Sequence, residues 1–332
     1  MKKVKIAFIL VSIFGPLIFL FQYNLANAKD PDYPTKPITY YISFGPGGTT
    51  DIAHRAFGAA AEKHLGQQFI LINKAGASGA LTAMAVMSAK PDGYTIGTTS
   101  ASPVFTLPFQ ENPPYRDLSG FAMLANIGTF IYPLMVRDDA PWNTWKGFIE
   151  WARKNPRAAK IGITGAMEVS VQGYGLMKIE KLENVEFTCI PLKSSAEILT
   201  ATLGGHITMF NSTTDPLTLS YLQEGKLRIL AFMGLKTEKI KGYENIPSTE
   251  ELYGFTIPKV FGIWGPRGLP DYVLKKLDDA FAKAIKDPEF VNIMNRMATP
   301  INYLNRDQMN EYTAEVYKLG YEFKKLREER AR

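Results

Sequence analysis

Apolar residues recur along this chain in short bursts of two spacings, and most bursts end in small polar residues. Residues 38–43, with Ile38, Tyr40, Tyr41 and Ile42, are β-branched and aromatic and predict a strand. After a glycine turn, Ile52, Ala53, Ala56, Phe57 and Ala60 recur as the buried side of a helix, which should end at Leu65 with Gly66 as its C-cap. Residues 69–72 are too short and too continuously apolar for a helix and predict a second strand, followed by a polar turn at 73–79. A small-residue helix carrying Leu81, Met84 and Ala85 stops at Pro91, and a third strand at 94–98 opens into Thr99, Ser100 and Ser102. Residues 105–116 are proline-rich and read as irregular.

The rhythm then restarts. Trp145, Phe148, Ile149 and Ala152 mark a helix, and 160–163 a strand whose loop at 164–170 precedes a helix reaching about 182. Further strands are expected at 187–190, 206–210 and 227–232, with helices at 196–203 and up to 224, and a helical tail at 271–285, 288–294 and 307–328. Crossings near 128–133 and 261–266 divide the chain into lobe 1 (29–130 and 261–332) and lobe 2 (131–260). The expected architecture is α/β, a hinged clamshell of two lobes, each a mainly parallel sheet flanked by helices.

In parallel α/β sheets the carboxyl ends of the strands share one edge, so the turns after the first three strands should lie side by side. The first holds Phe44, Gly47, Gly48, Thr49, Thr50 and Asp51. Glycines let backbone N–H groups face one point, and the helix start behind them adds unpaired donors and a positive dipole end, which makes an anion seat. A P-loop would need a Lys-Ser/Thr pair where Thr49 and Thr50 stand, and a dinucleotide site a third glycine at Thr50 and an acid near Asn73. The competing reading is a plain turn with Thr49 or Asp51 capping the helix. Asp51 reads either as an organiser of water and hydroxyls or as a first-turn acid, and Phe44 as core or as ligand platform. The other candidates are Gly76, Ala77, Ser78, Gly79, Ser100 and Ser102 in the first lobe, and Thr164, Gly165, Ser170, Lys193 and Asn211 in the second. Lys193 could neutralise a second carboxylate.

Composition narrows the classes. The 332 residues carry a formal charge of +6, and an amino-terminal segment holding Lys2, Lys3 and Lys5, an apolar run at 6–21 and the small-x-small end Ala26, Asn27, Ala28 reads as a signal peptide cleaved after Ala28. Its loss leaves a charge of +3 with no basic stripe, against nucleic acid as partner. Without a cysteine to lipidate near the cleavage site, a periplasmic, monomeric protein is expected. The lone Cys189 reads as a buried strand residue. His54, His64 and His206 lack metal-ligand spacing, and Ser100 and Ser102 lack a nucleophile elbow, so no catalytic residue, metal or cofactor is expected. A periplasmic hydrolase or transferase acting on a carboxylate is the competing class, and a sensor feeding a signalling receptor is another.

Several motifs in order carry a resemblance: Tyr33-Pro34-Thr35-Lys36-Pro37-Ile38, the glycine turn ending in Thr50-Asp51, Leu65-Gly66-Gln67, the turn at 73–79, Pro91-Asp92-Gly93-Tyr94-Thr95, the stretch 225–231, and Ile246-Pro247-Ser248-Thr249. Together they resemble the tripartite tricarboxylate transporter substrate-binding proteins, the Bug family. The resemblance implies a Venus-flytrap periplasmic binding protein that holds a small carboxylate (a dicarboxylate, tricarboxylate, aromatic acid or acidic amino acid) and delivers it to a membrane permease. It also implies that 47–51 and 76–79 seat a ligand carboxylate through N–H groups, hydroxyls and ordered water. The chain departs from the family at Gly45, where the first turn usually has proline, at Met167 and Glu168 in the second-lobe loop, at Asn211, where aspartate is common, and at Leu192-Lys193-Ser194, where Tyr-Lys-Gly is usual. These changes leave the far end of the ligand open.

Overall fold

The computed structural model describes residues 31–331. The expected signal peptide at 1–28 and its expected cleavage after Ala28 fall outside the described residues. All of the elements below lie in the compact unit Pro34–Arg332.

The first sheet takes β1 (Ile38–Ile42), β2 (Phe69–Asn73), β3 (Thr95–Ser100) and β4 (Phe121–Asn126), and the second begins with β5 (Pro133–Arg137). It continues with β6 (Lys160–Thr164), β7 (Thr188–Leu192), β8 (Met209–Asn211) and β9 (Leu227–Phe232), after which β10 (Phe261–Pro266) returns to the first. Strand order is β2-β1-β3-β10-β4 in one sheet and β7-β6-β8-β5-β9 in the other, so the two lobes share a topology. Both sheets are mixed. β1 runs parallel to β2 and β3, and β6 parallel to β7 and β8, but β10 is antiparallel to β3 and β4, and β5 antiparallel to β8 and β9. Four of the five strands in each sheet run the same way, as expected of mainly parallel sheets, and the single reversed strand has a topological reason. The reversed strand in each sheet is the one that arrives from the other lobe.

Helices flank both sheets: α1 (Thr49–Leu65), α2 (Ala80–Met87), α3 (Trp145–Lys154), α4 (Val171–Glu183), α5 (Ser195–Leu203), α6 (Pro216–Gln223), α7 (Thr249–Tyr253), α8 (Asp271–Ala284), α9 (Pro288–Arg296) and α10 (Arg306–Ala331). Local chemistry sets their ends. Gly66 ends α1 at φ 73°, donating its N–H to Glu62. Thr144, Ser170, Ser194 and Asp215 cap the starts of α3 to α6 with their side chains. α1 buries Phe57 against Phe281 of α8 and Phe290 of α9, with edge-on rings. The segment read as irregular opens within a single π turn, Ser102–Thr106, followed by a 3-10 turn, Leu107–Phe109. The five-residue α7 was not expected from the sequence, and β8 is shorter than the strand read at 206–210.

Two crossings join the sheets, at 127–132 and at 233–260. Asn126 pins both to the tail. Its fully buried amide donates to Gly128 O (2.7 Å) and Asn302 O (2.8 Å) and accepts the N–H of Phe261 (2.8 Å). α10 lies along β4, and its end reaches the second lobe. There Glu322 accepts from Lys178 (2.8 Å) and Tyr174 (2.8 Å), and Arg330 pairs with Glu180 (2.8 Å).

Among the remaining sequence expectations, His54 is a buried core residue of α1. Its Nδ1 lies 2.5 Å from the Tyr40 hydroxyl, and burial lowers its pKa to about 3. Cys189 lies on β7, an edge strand of its sheet, and is half-buried rather than fully buried. Burial is the main cause pushing its thiol up to about 12, which keeps it a protonated, unreactive group.

Candidate functional site

Three helix starts meet where the two lobes touch. From the first lobe come Gly48, Thr49 and Thr50 at the head of α1; from the second, Val171 and Gln172 at the head of α4 and Ser194 and Ser195 at the head of α5. They enclose a cavity of about 30 Å3 together with Phe44, Ser100, Ser102, Thr164, Ser212, Thr213 and two rings of the outbound crossing, Phe130 and Tyr132. A space of that size holds a water or two, so a larger ligand requires the lobes to part. No lysine, arginine or histidine is among the described residues lining it. What favours an anion there is the helix ends, each worth roughly half a positive charge, and first-turn N–H groups that lack intrahelical acceptors, set against the buried Asp215 carboxylate behind Ser195.

Hydrogen bonds cross the cleft at several points. Gly45 N–H donates to Lys193 O (3.2 Å), Thr49 N–H to Ser195 Oγ (3.4 Å), and Val171 N–H to Ser102 Oγ (3.1 Å). Thr49 Oγ1 donates to Thr214 O and accepts from Thr213 Oγ1 (2.8 Å). Ser195 Oγ donates in turn to Asp215 Oδ2 (3.1 Å), and Gln172 Nε2 to Thr164 Oγ1 (2.6 Å). Close approach depends on missing side chains: a Cβ on Gly48 would come within 3.3 Å of both Ser194 and Ser195.

The structure sorts the sequence candidates. Phe44, Gly48, Thr49, Thr50, Ser100, Ser102 and Thr164 line the cavity. Gly47 and Asp51 do not: Asp51 Oδ2 accepts the Gly47 N–H (3.0 Å), and Oδ1 accepts from Arg55 (2.8 Å) and Asn73 (2.8 Å). Since Asn73 also donates to Phe44 O (2.9 Å), Asp51 braces the turn from behind rather than lining the cavity. Ser170 does not line the cavity; its Oγ accepts the Gly173 N–H (3.0 Å) as the cap of α4. The Lys193 side chain is exposed and does not line the cavity, so the residue reaches the first lobe through its carbonyl instead.

Gly76, Ala77, Ser78 and Gly79 form the second turn, beside the cavity rather than on its wall. All four have positive φ (145°, 46°, 53° and 97°). Ser78 meets the opposing lobe, since a Cβ on Gly165 would overlap Ser78 Oγ. Ser78 Oγ, Ser100 Oγ and both amide atoms of Asn211 are buried without protein partners, which is unusual for polar atoms and marks this region as one built to receive polar groups.

Sequence reasoning missed Phe130, Tyr132, Val171, Gln172, Ser194, Ser195, Ser212 and Thr213. The serines and threonine follow strands, the same signal that selected Thr164. The two crossing aromatics had no local signal. Burial raises the Tyr132 hydroxyl pKa far above its ordinary value, with the Glu238 charge adding to it, so the ring presents a neutral wall.

A family model described as the tripartite tricarboxylate transporter family receptor matches residues 53–325. The UPF0065 protein in the gbd 5' region of Cupriavidus necator is 31% identical over 294 residues, 88% of each chain. Among solved structures, one described as a periplasmic transporter superposes with a TM-score of 0.79 at 27% identity, over 87% of this chain and 96% of that one. An R. palustris protein solved with adipate gives 0.79 at 23% identity, over 89% and 98% of the two chains. The two-lobed fold is that of periplasmic binding proteins, and members of the matched family bind substrates and are not enzymes, so the hydrolase or transferase alternative is not favoured. With the family model spanning most of its length and a relative above 30% identity, the chain belongs to the tripartite tricarboxylate transporter receptor family, the Bug proteins.

Proposed function

We propose that this protein is an extracytoplasmic solute receptor of the periplasm that captures one small organic carboxylate between its lobes and delivers it to membrane permease subunits of a tripartite tricarboxylate transporter. The observation that carries this reading is the meeting of three helix starts from both lobes on one cavity whose described lining has no cationic side chain. A carboxylate satisfies the first-turn N–H groups and hydroxyls there, and its charge lies at the favourable end of each dipole. Gly48 admits the ligand's approach to the backbone, and Thr49, Thr50, Ser100 and Ser102 supply the first-lobe hydroxyls. Thr164, Gln172 and Thr213 meet the remainder from the second lobe. Because the donors are neutral, the complex forms without an ion pair. Micromolar affinity, about −8 kcal/mol, is the expected range for a receptor that must release its cargo.

The adipate-bound neighbour supports an open-chain dicarboxylate as the first ligand to try. The test is a thermal-shift screen of adipate, citrate, benzoate and glutamate against the exported protein, followed by calorimetry. At about 100 times Kd a true ligand should stabilise the fold by about 2.7 kcal/mol. If no carboxylate shifts the transition, or if the bound acid is turned over, the proposal fails.

A further inference from the structure

The hinge side of the molecule holds a buried ion pair that the ligand reading does not use. Lys259 ends the return crossing just before β10 and is 5% exposed; its Nζ pairs with Glu238, which lies earlier on the same crossing. Nζ also stands 5.9 Å from the ring centre of Tyr132, one of the two aromatic walls of the ligand cavity. The surroundings fix both partners. Glu238 Oε2 accepts the Leu235 N–H (2.9 Å), and a Cβ on Gly234 would meet both Lys259 Nζ and Glu238 Oε2. Next to Gly234, Met233 donates its N–H to Tyr132 O (2.8 Å). From α10, the Tyr312 hydroxyl donates to Lys259 O (2.8 Å) and lies 3.2 Å from the Lys259 N–H that it accepts. The pair thus touches the outbound crossing through a ring, runs along the return crossing by its own chain, and reaches the tail helix through Tyr312.

Such a pair is poorly explained as a source of stability. Burying an ammonium and a carboxylate costs several kcal/mol per ion before their attraction is counted, and apolar replacements of similar volume often do as well. Burial does lower the Lys259 pKa against the pull of Glu238. What the pair provides that an apolar pair would not is direction: a charge held beside an aromatic ring that also lines the cavity.

We propose that Lys259 and Glu238 are positioning residues of the carboxylate site, holding the Tyr132 ring as the cavity's rear wall and so setting affinity from behind it. The proposal rests on the cavity being the ligand site, and its test separates the two. Wild type, Lys259→Met, Lys259→Arg and the paired Lys259→Met/Glu238→Gln variant are produced with 3-fluorotyrosine, and the Tyr132 fluorine resonance is assigned by its loss in Tyr132→Phe. In ligand-free protein, Lys259→Met should displace that resonance, Lys259→Arg should restore it, and the paired variant should recover thermal stability without recovering the resonance. Titration with adipate should give roughly tenfold weaker binding for Lys259→Met in the wild-type background and no further loss in a Tyr132→Ala background.

A resonance unmoved by Lys259→Met, a paired variant that regains both the resonance and the affinity, or losses that add in the Tyr132→Ala background would each overturn the proposal. Absence of adipate binding to wild type counts against adipate as the ligand of this cavity, and the fluorine spectra then decide the positioning role alone.

Discussion

The first lobe carries two glycine turns at the same sheet edge, made from similar residues, and they behave differently. The turn after β1 is braced: Asp51 closes it onto Gly47, and Asn73 ties it to the strand beside it. Its N–H groups are held in place before any ligand arrives. The turn after β2 runs through four consecutive residues at positive φ, two of them not glycine, and its Ser78 presses on Gly165 of the other lobe. One is a seat and the other a stop. Glycine count alone does not distinguish them; both meet the opposite lobe, but the first is closed on itself by the Asp51 carboxylate, whereas the second sets the unpartnered Ser78 hydroxyl against Gly165.

The largest expected effect breaks the seat. Gly48→Trp places an indole where Ser194 and Ser195 close on α1, and should weaken carboxylate binding at least about a hundredfold, about 2.7 kcal/mol, while both lobes stay folded. Calorimetry read beside the ligand-free melting curve checks it, and unchanged affinity would place the ligand elsewhere.

Acid should act beneath the seat rather than the stop. His54 lies on α1 with a folded pKa of about 3 against an ordinary 6.5, so the unfolded chain binds the extra proton between those values. Its contribution is complete above 6.5 and is lost as pH falls towards 3, with about 1.5 kcal/mol gone between pH 6.5 and 5. Urea midpoints across that range should show the slope, and His54→Gln should flatten it.

A smaller effect comes from jamming the stop. Gly165→Ala, at φ 86°, should weaken binding about tenfold, about 1.4 kcal/mol, by opposing closure. Adding Ser78→Gly should restore part of that loss; if it restores none, contact between the two residues is not what limits closure. By itself Ser78→Gly relieves a left-handed serine and should stabilise the ligand-free protein by no more than about 1 kcal/mol, measured by denaturant titration.

The strand, turn and helix units were legible because their signals are local: Tyr40 and Ile42 alternate inward, Gly66 caps, and Ser100 and Thr164 end strands. The reversal of β5 and β10 was not, since a strand's direction depends on partners far away in sequence. The site divided along the same line. Gly48 and Thr49 announced themselves through glycine and hydroxyl chemistry beside a helix start. Phe130 and Tyr132 sit in an apolar crossing that reads as any buried stretch, and Asp51 could be assigned as a brace only once Arg55 and Asn73 were seen around it.

Asn126 carries a mechanical consequence. A single carboxamide grips the outbound segment, the return strand and the tail, so lobes that part about this point should move more the farther they lie from it. The rims then sweep the widest arcs while residues beside it barely travel, and replacing Asn126 should change how far the jaws swing more than how firmly they hold.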